Sequence, residues 1–292
     1  MAPSSPVVAR WELSYRIRRR REMHGKTGPE LAKELGFSRT YWPKVERDQR
    51  LLPPAKMEEL FRILEFSEAE QTEMLKLQSA AKQRAWWNDF EGLFDEDILR
   101  LWGLEAGAEE ISTVDSLLIP GLLQTEDYAR ALITSDTAFI RQLEVAQRVE
   151  ARMRRQQRLL DDSDPLRLNA VVSEAALRQM TGGSALMRGQ LRHLVKTITE
   201  HRNTIDFRIL PFSSETGAIF GSSTFYILDF ARPEAPTLGW SEGLAWSELF
   251  EDPERVRVLT VGFKHVQSQA MTPEDSLTLI EQLADRIETP GE

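Results

Sequence analysis

The sequence predicts an α+β protein in two parts: an all-helical N-terminal domain, then an α+β domain built around one sheet. Three observations carry this prediction. Apolar residues recur at helical spacing through the first hundred residues, with no strand-like run among them. Beyond that point, strand-like runs first alternate with helices and then follow one another directly, as in a mixed sheet. A length of 292 residues suits two domains, with room for a substantial core in the second.

Residues 1–11 are expected as a flexible tail, because they lack both the basic start and the long apolar stretch of a signal peptide. A helical domain is expected over 12–80. Leu13, Ile17 and Met23 outline its first helix. Thr27 caps a second, Thr27–Leu35, with Pro29 in its first turn. Gly36-Phe-Ser38 makes a tight turn into a short third helix, Arg39–Glu46, and Leu31, Leu35, Phe37, Trp42 and Val45 supply a three-helix core. Met57, Leu60, Phe61 and Leu64, then Met74, Leu75 and Leu77, mark two further helices joined by a capping box, Ser67 to Glu70. A helical, aromatic-rich connector follows over 81–105. Its Trp86, Trp87, Phe90, Leu93 and Phe94 are expected to pack between the domains. Asp89, Glu91, Asp95, Glu96 and Asp97 would repel a phosphate backbone, which argues against base stacking.

The α+β domain is expected over 106–288. Ile111–Ile119 reads as extended, and Pro120–Tyr128 as a turn capped by Thr125 that opens a helix. A long helix spans Arg141–Leu160. Strands are expected at Leu166–Val172, Thr204–Leu210, Thr224–Phe230, Thr237–Trp240 and Ala245–Leu249. Helices are expected at Glu174–Met180, Ala185–His201, Asp252–Ala270 and Pro273–Glu288. No internal repeat or low-complexity tract interrupts the series.

Charge is unevenly distributed. Residues 1–60 carry 13 Lys and Arg against 8 Asp and Glu, while the whole chain carries 37 against 46. A polyanion would therefore be drawn only to the N-terminal end, which favours local, specific contact over coating along the chain. With no cysteine there are no disulfides, thiolate chemistry or cysteine metal sites. No stretch approaches the ~18–20 apolar residues of a membrane span, and a cytoplasmic protein is expected.

The unit from Leu13 to Arg50 has the pattern of a helix-turn-helix, whose third helix lies in the major groove while the first two brace it. Through "GKTGPELAKELGFSRTYWPKVERDQR" and "AKMEELFRILEFSEAEQTEML" it resembles the lambda-repressor-like, xenobiotic-response-element regulators. The resemblance implies a largely buried ion pair between Arg21 and Glu46. Helical spacing puts Thr40 and Lys44 on one face, so Arg39, Thr40 and Lys44 are expected at base edges. Tyr41, Arg47 and Arg50 are expected nearer the DNA backbone. Thr27 and Gly28 stand where the family holds a phosphate. Gly28 replaces the family's usual Gln, leaving only a backbone amide for that role, and Arg20 and Lys26 stand at usually apolar positions. Pro43 is the sharpest departure: in a helix capped by Ser38 it would cost roughly 3 kcal/mol. That strain vanishes if Thr40 is the effective cap and the helix starts late. The alternative is decayed DNA binding. A single short recognition helix reads few base pairs, so a homodimer is expected.

Further blocks, "LLIPGLLQTEDYARALI", "EAALRQMTGG", "DFRILPFSSETGAIFGSSTFYILDF" and "LFEDPERV", resemble the C-terminal domain of unknown function attached to such regulators in actinobacteria. That resemblance implies a small partner protein encoded beside the regulator. Pro120–Tyr128, Trp240 and Trp246 read either as core packing or as walls of a small-molecule effector pocket or partner surface. No catalytic residue, cofactor site or metal site is nominated. His24, His193, His201 and His265 have no ligand spacing, and His193 and His201 lie about 80° apart on one helix. No P-loop, GxGxxG or GxSxG occurs, and the glycines at 182–183 and 217–221 read as turns. The expected function is a sequence-specific DNA-binding transcriptional regulator, double-stranded DNA being its partner, with no enzyme activity. The alternatives are a protein-interaction, antitoxin-like regulator with weakened DNA binding and, further off, an enzyme in the C-terminal domain.

Overall fold

The computed structural model describes residues 5–136, 140–161, 164–215, 224–231, 235–243 and 246–287. The chain divides into two compact units, one ending at Asp89 and one beginning at Phe90.

The first unit is helical throughout. α1 (Pro6–Met23) begins where Ser5 accepts from the Val8 amide and Pro6 takes the first turn. Residues 6–11 are therefore helical rather than a flexible tail. The Ser-Pro pair supplies both a cap and a preset φ. α2 (Gly28–Glu34) carries a full capping box between Thr27 and Glu30, and Gly36 turns the chain at φ 75°. α3 (Trp42–Glu46), α4 (Pro54–Ile63) and α5 (Glu68–Ala80) complete the unit, the last with a capping box between Ser67 and Glu70. Leu13, Ile17, Leu31, Leu35, Trp42, Val45, Met57 and Leu60 are all buried in one core.

Arg20 departs from the apolar pattern without disturbing this core. Its guanidinium lies 4.8 Å above the Phe66 ring and donates to the carbonyls of Leu64 (3.0 Å) and Glu65 (2.8 Å). The stem covers apolar surface while the head satisfies carbonyls left open at the end of α4. Lys26 pairs with Glu34 at 2.6 Å.

The second unit contains α6 (Glu96–Gly107), β1 (Glu110–Asp115), α7 (Glu126–Ser135), α8 (Val145–Gln156), β2 (Arg167–Ser173), α9 (Glu174–Arg178), α10 (Ser184–Glu200), β3 (Ile205–Leu210), β4 (Phe225–Asp229), β5 (Leu238–Gly243), β6 (Trp246–Phe250), α11 (Pro253–Gln269) and α12 (Pro273–Arg286). Thr125 caps α7 by accepting from the Tyr128 amide. Gly217–Gly221 lies outside the described residues. α6 belongs to this unit rather than to a connector: Phe94 and Trp102 meet edge-on at 4.6 Å, and Arg148, Arg154 and Arg155 of α8 lie over Phe94, Phe90 and Trp102.

The six strands form one sheet in the order β3-β2-β1-β4-β5-β6. β1, β2 and β3 pair in parallel, because helices connect them. β4, β5 and β6 follow with short connections and pair antiparallel, β4 lying against β1. The α+β expectation, one sheet with helix-separated strands followed by adjacent ones, describes this arrangement. Val114, Val171, Phe225 and Ile227 share one side of the sheet and pack with Phe263 and Val266 of α11. The alternate residues Thr113, Asp115, Tyr226, Trp240 and Glu242 share the other side.

Candidate nucleic-acid interface

α3 is held to the rest of its unit by an ion pair and by two buried side chains. Trp42 and Val45 point into the core. Glu46, at the end of α3, accepts from Arg21 twice: Nε to Oε1 at 2.5 Å and Nη2 to Oε2 at 3.2 Å. Side-chain exposure is 11% for Arg21 and 15% for Glu46, so the pair is mostly but not wholly removed from water. Arg21 also donates to the Lys26 carbonyl at 2.7 Å, which ties α3 to the turn preceding α2.

Pro43 is the second residue of α3, where no donor is needed. The helix does start late. Thr40, however, is not its cap: Tyr41 precedes the helix and its own side chain caps nothing. Ser38 instead closes a separate turn, its Oγ accepting from the Tyr41 amide at 3.2 Å and contacting the Thr40 hydroxyl at 3.0 Å. Residues 39–41 thus form a turn, and only Trp42–Glu46 are helical. At the far end, the amides of Gln49 and Arg50 both return to the Lys44 carbonyl, at 2.8 and 3.0 Å.

The expected base-reading residues Arg39, Thr40 and Lys44 are all exposed, as are Arg47 and Arg50. Among the described residues, the side chains of Arg39, Lys44 and Arg47 have no carboxylate partner. Several other basic residues of this unit are paired. Arg16 pairs with Glu12 and Glu73, Arg20 with Glu70, Arg21 with Glu46, and Lys56 with Glu59. Uncommitted positive charge is therefore present at α3 and its flanking turns, as it is at the exposed Arg19, Lys33, Arg62, Lys76 and Lys82 elsewhere in the unit. Tyr41 is placed differently from a free backbone contact. It is half-buried, stacks on Phe37 at 4.3 Å between ring centres, and its hydroxyl meets the Leu51 carbonyl at 3.5 Å. Arg50 lies 5.8 Å over the same ring.

Thr27 and Gly28 begin α2 on the side facing α3. The Thr27 backbone amide and hydroxyl both donate to the Glu30 carboxylate, and these two bonds lower the Glu30 pKa below its ordinary value, while the hydroxyl also accepts from the Glu30 amide. A Cβ at Gly28 would stand 3.1 Å from Trp42 Cδ1. A side chain at 28 would press on the large ring at 42, so a Gly suits this position. No local pattern in the sequence links these two positions.

A family model described as a helix-turn-helix domain matches residues 12–74. A second, described as a domain of unknown function (DUF5753), matches residues 98–282. The chain belongs to the DUF5753 family. The helix-turn-helix match covers every residue of the interface described above, and the DUF5753 match takes in the whole sheet. Neither a curated protein nor a solved structure matches the chain. Among the described residues, no helix is long and apolar enough to cross a membrane, and no group of three or more His, Asp or Glu is placed to hold a metal ion.

Proposed function

We propose that this chain is a cytoplasmic, sequence-specific DNA-binding transcriptional regulator. It acts as a homodimer, and its DUF5753 domain supplies regulation or binds a partner. The observation that carries this reading is the set Arg39, Lys44 and Arg47. These cations are exposed and free of carboxylates on and around α3, the third helix of the helix-turn-helix, in a chain of net charge −9. Arg39 and Lys44 read bases, Thr40 lies beside them, and Arg47, Arg50 and the amide of Gly28 hold phosphates. A base-reading Arg or Lys contributes ~1–3 kcal/mol of discrimination at its position.

Fluorescence anisotropy of the full chain on DNA from its own upstream region tests this. Binding should be sequence-dependent and should weaken steeply with salt as counterions are displaced. Lys44→Ala should lower affinity for the preferred site by about tenfold or more while leaving the fold intact. Unchanged site preference in Lys44→Ala would remove the assignment. Light scattering on the free and DNA-bound chain tests the dimer, and a monomer in both states would exclude it.

One observation favours the second reading, a regulator that acts through protein contacts with weakened DNA binding. α3 is only five residues long, which limits how many bases it can span. Sequence-independent binding by the native chain, together with capture of a small partner encoded nearby, is the outcome that reading expects.

A further inference from the structure

The side of the sheet opposite α11 carries charge in its interior. Thr113 and Asp115 of β1, Tyr226 of β4, and Glu242 of β5 share it, since Thr113 pairs with Tyr226 and Tyr226 with Trp240, two residues before Glu242; Thr224 of the β4 side stands between Asp115 and Glu242. Arg152 of α8 comes down onto the same group, within electrostatic reach of Tyr226 and Glu242. Several of these groups have bonding capacity that no described residue uses, without being sealed from solvent. Asp115 is only 5% exposed, and its one hydrogen bond runs from Thr113 Oγ1 to Oδ2 at 2.8 Å, leaving Oδ1 without a partner. Glu242 accepts one bond, from Trp240 Nε1 at 3.2 Å. Among the described residues, the Tyr226 hydroxyl has none. Arg152 uses one Nη, donating to Gln124 at 2.9 Å, and keeps its remaining donors.

These unused groups point to the chemistry of what would satisfy them. Two carboxylates close enough to repel one another call for a cation with several N–H donors. The spare donors of Arg152 call for an oxygen acceptor. Tyr226, Glu242 and Arg152 retain accessible surface and Asp115 keeps 5% of its own, as expected of groups lining a recess rather than a sealed core. Burial, with the Glu242 charge beside it, pushes Asp115 up to about 7, so its ionised form lacks compensation that a bound cation would supply.

We propose that this polar side of the sheet binds a small protonated amine that also carries an oxygen acceptor, with Asp115 and Glu242 receiving the ammonium group and Arg152 the oxygen. Two sources share this chemistry: amino acids, whose acceptor is a carboxylate, and amino alcohols or amino sugars, whose acceptor is a hydroxyl.

The test is calorimetry and thermal unfolding of the full chain, without DNA, against the free L-amino acids and against ethanolamine and glucosamine. Glucose and acetate serve as controls lacking an amine. At least one amine should bind and raise the melting temperature while glucose and acetate do not. Asp115→Asn and Glu242→Gln should each weaken that binding tenfold or more. Arg152→Gln should weaken a carboxylate-bearing ligand more than a hydroxyl-bearing one, which separates the two sources. If Asp115→Asn does not fold, Glu242→Gln decides alone, because a Gln oxygen can still accept from Trp240. The proposal is overturned if no amine binds, if the controls bind equally well, or if folded Glu242→Gln binds like the native chain; the polar groups are then served by internal water. DNA is absent throughout, so this outcome is independent of the DNA-binding reading.

Discussion

Breaking the ion pair that anchors α3 should destabilise the N-terminal unit by an amount the geometry sets. A fully buried pair loses about 3–5 kcal/mol when one partner is removed, because the other charge is stranded. Here the partners keep 11% and 15% of their side-chain exposure. In Glu46→Ala, Arg21 would also keep the Lys26 carbonyl at 2.7 Å and Glu22 at 3.3 Å. Those alternatives offset part of the loss, so about 2 kcal/mol is expected. Arg21→Ala should cost a similar amount, and the double variant should cost about 1–2 kcal/mol less than the sum of the singles. A chain of two units need not unfold in one step, so the assay is amide hydrogen exchange along α1–α3 in the full chain. A loss of about 2 kcal/mol appears there as exchange roughly 30-fold faster. Additive single losses, or exchange at α1–α3 unchanged in Glu46→Ala, would refute the anchoring role.

Other substitutions probe the neighbouring contacts. Pro43→Ser should change stability by less than ~0.5 kcal/mol, because a residue in the first turn need not donate; a large gain by thermal unfolding would mean that the proline strains α3. Gly28→Gln should cost about 1–3 kcal/mol, since its Cβ meets Trp42 at 3.1 Å, and Trp42→Leu should relieve part of that loss. Arg20→Met keeps the packing on Phe66 but leaves the Leu64 and Glu65 carbonyls without their donor, so exchange should accelerate at the α4–α5 junction. Glu30 and Glu70 have pKa values lowered chiefly by hydrogen bonds from the backbone of Thr27 and Ser67. Their stabilising contribution is complete above the ordinary carboxylate value and is lost as pH falls through the lowered one. The first turns of α2 and α5 should therefore open in acid, and Glu30→Ala with Glu70→Ala should remove that pH dependence.

Much of this fold was legible because each element carries its own local signal. Strands β2 to β6 begin within two residues of where β-branched and aromatic runs place them, and Thr27, Ser67, Thr125 and Asp252 each cap the helix they precede. Local signals also mislead where two readings share residues. Ser5-Pro6 reads as a loose tail by composition but is a cap and first-turn proline by position. The late start of α3 could be inferred from Pro43 alone, whereas the turn closed by Ser38 needed the backbone. Pairings between distant segments left no trace in the sequence. Nothing in it brings Asp115 to Glu242, or tells Gly28 that a tryptophan occupies its neighbourhood. The exposed cations were legible as residue types, but their freedom from carboxylates was not, since that depends on which glutamates fold next to which arginines.

The placement of β1 has a consequence for how the protein is made. Glu110 pairs with Arg167 on one side and with Asp229 on the other. A growing chain can therefore complete the parallel half of the sheet while the opposite flank of β1 still offers open amides and carbonyls. That flank stays open until β4 is synthesised, so during translation β1 is an exposed edge able to recruit a neighbouring nascent chain. The three C-terminal strands, joined by short connections, can form their own meander quickly and then dock as a unit. A ribosome stall between β3 and β4 would leave β1 half-paired and waiting.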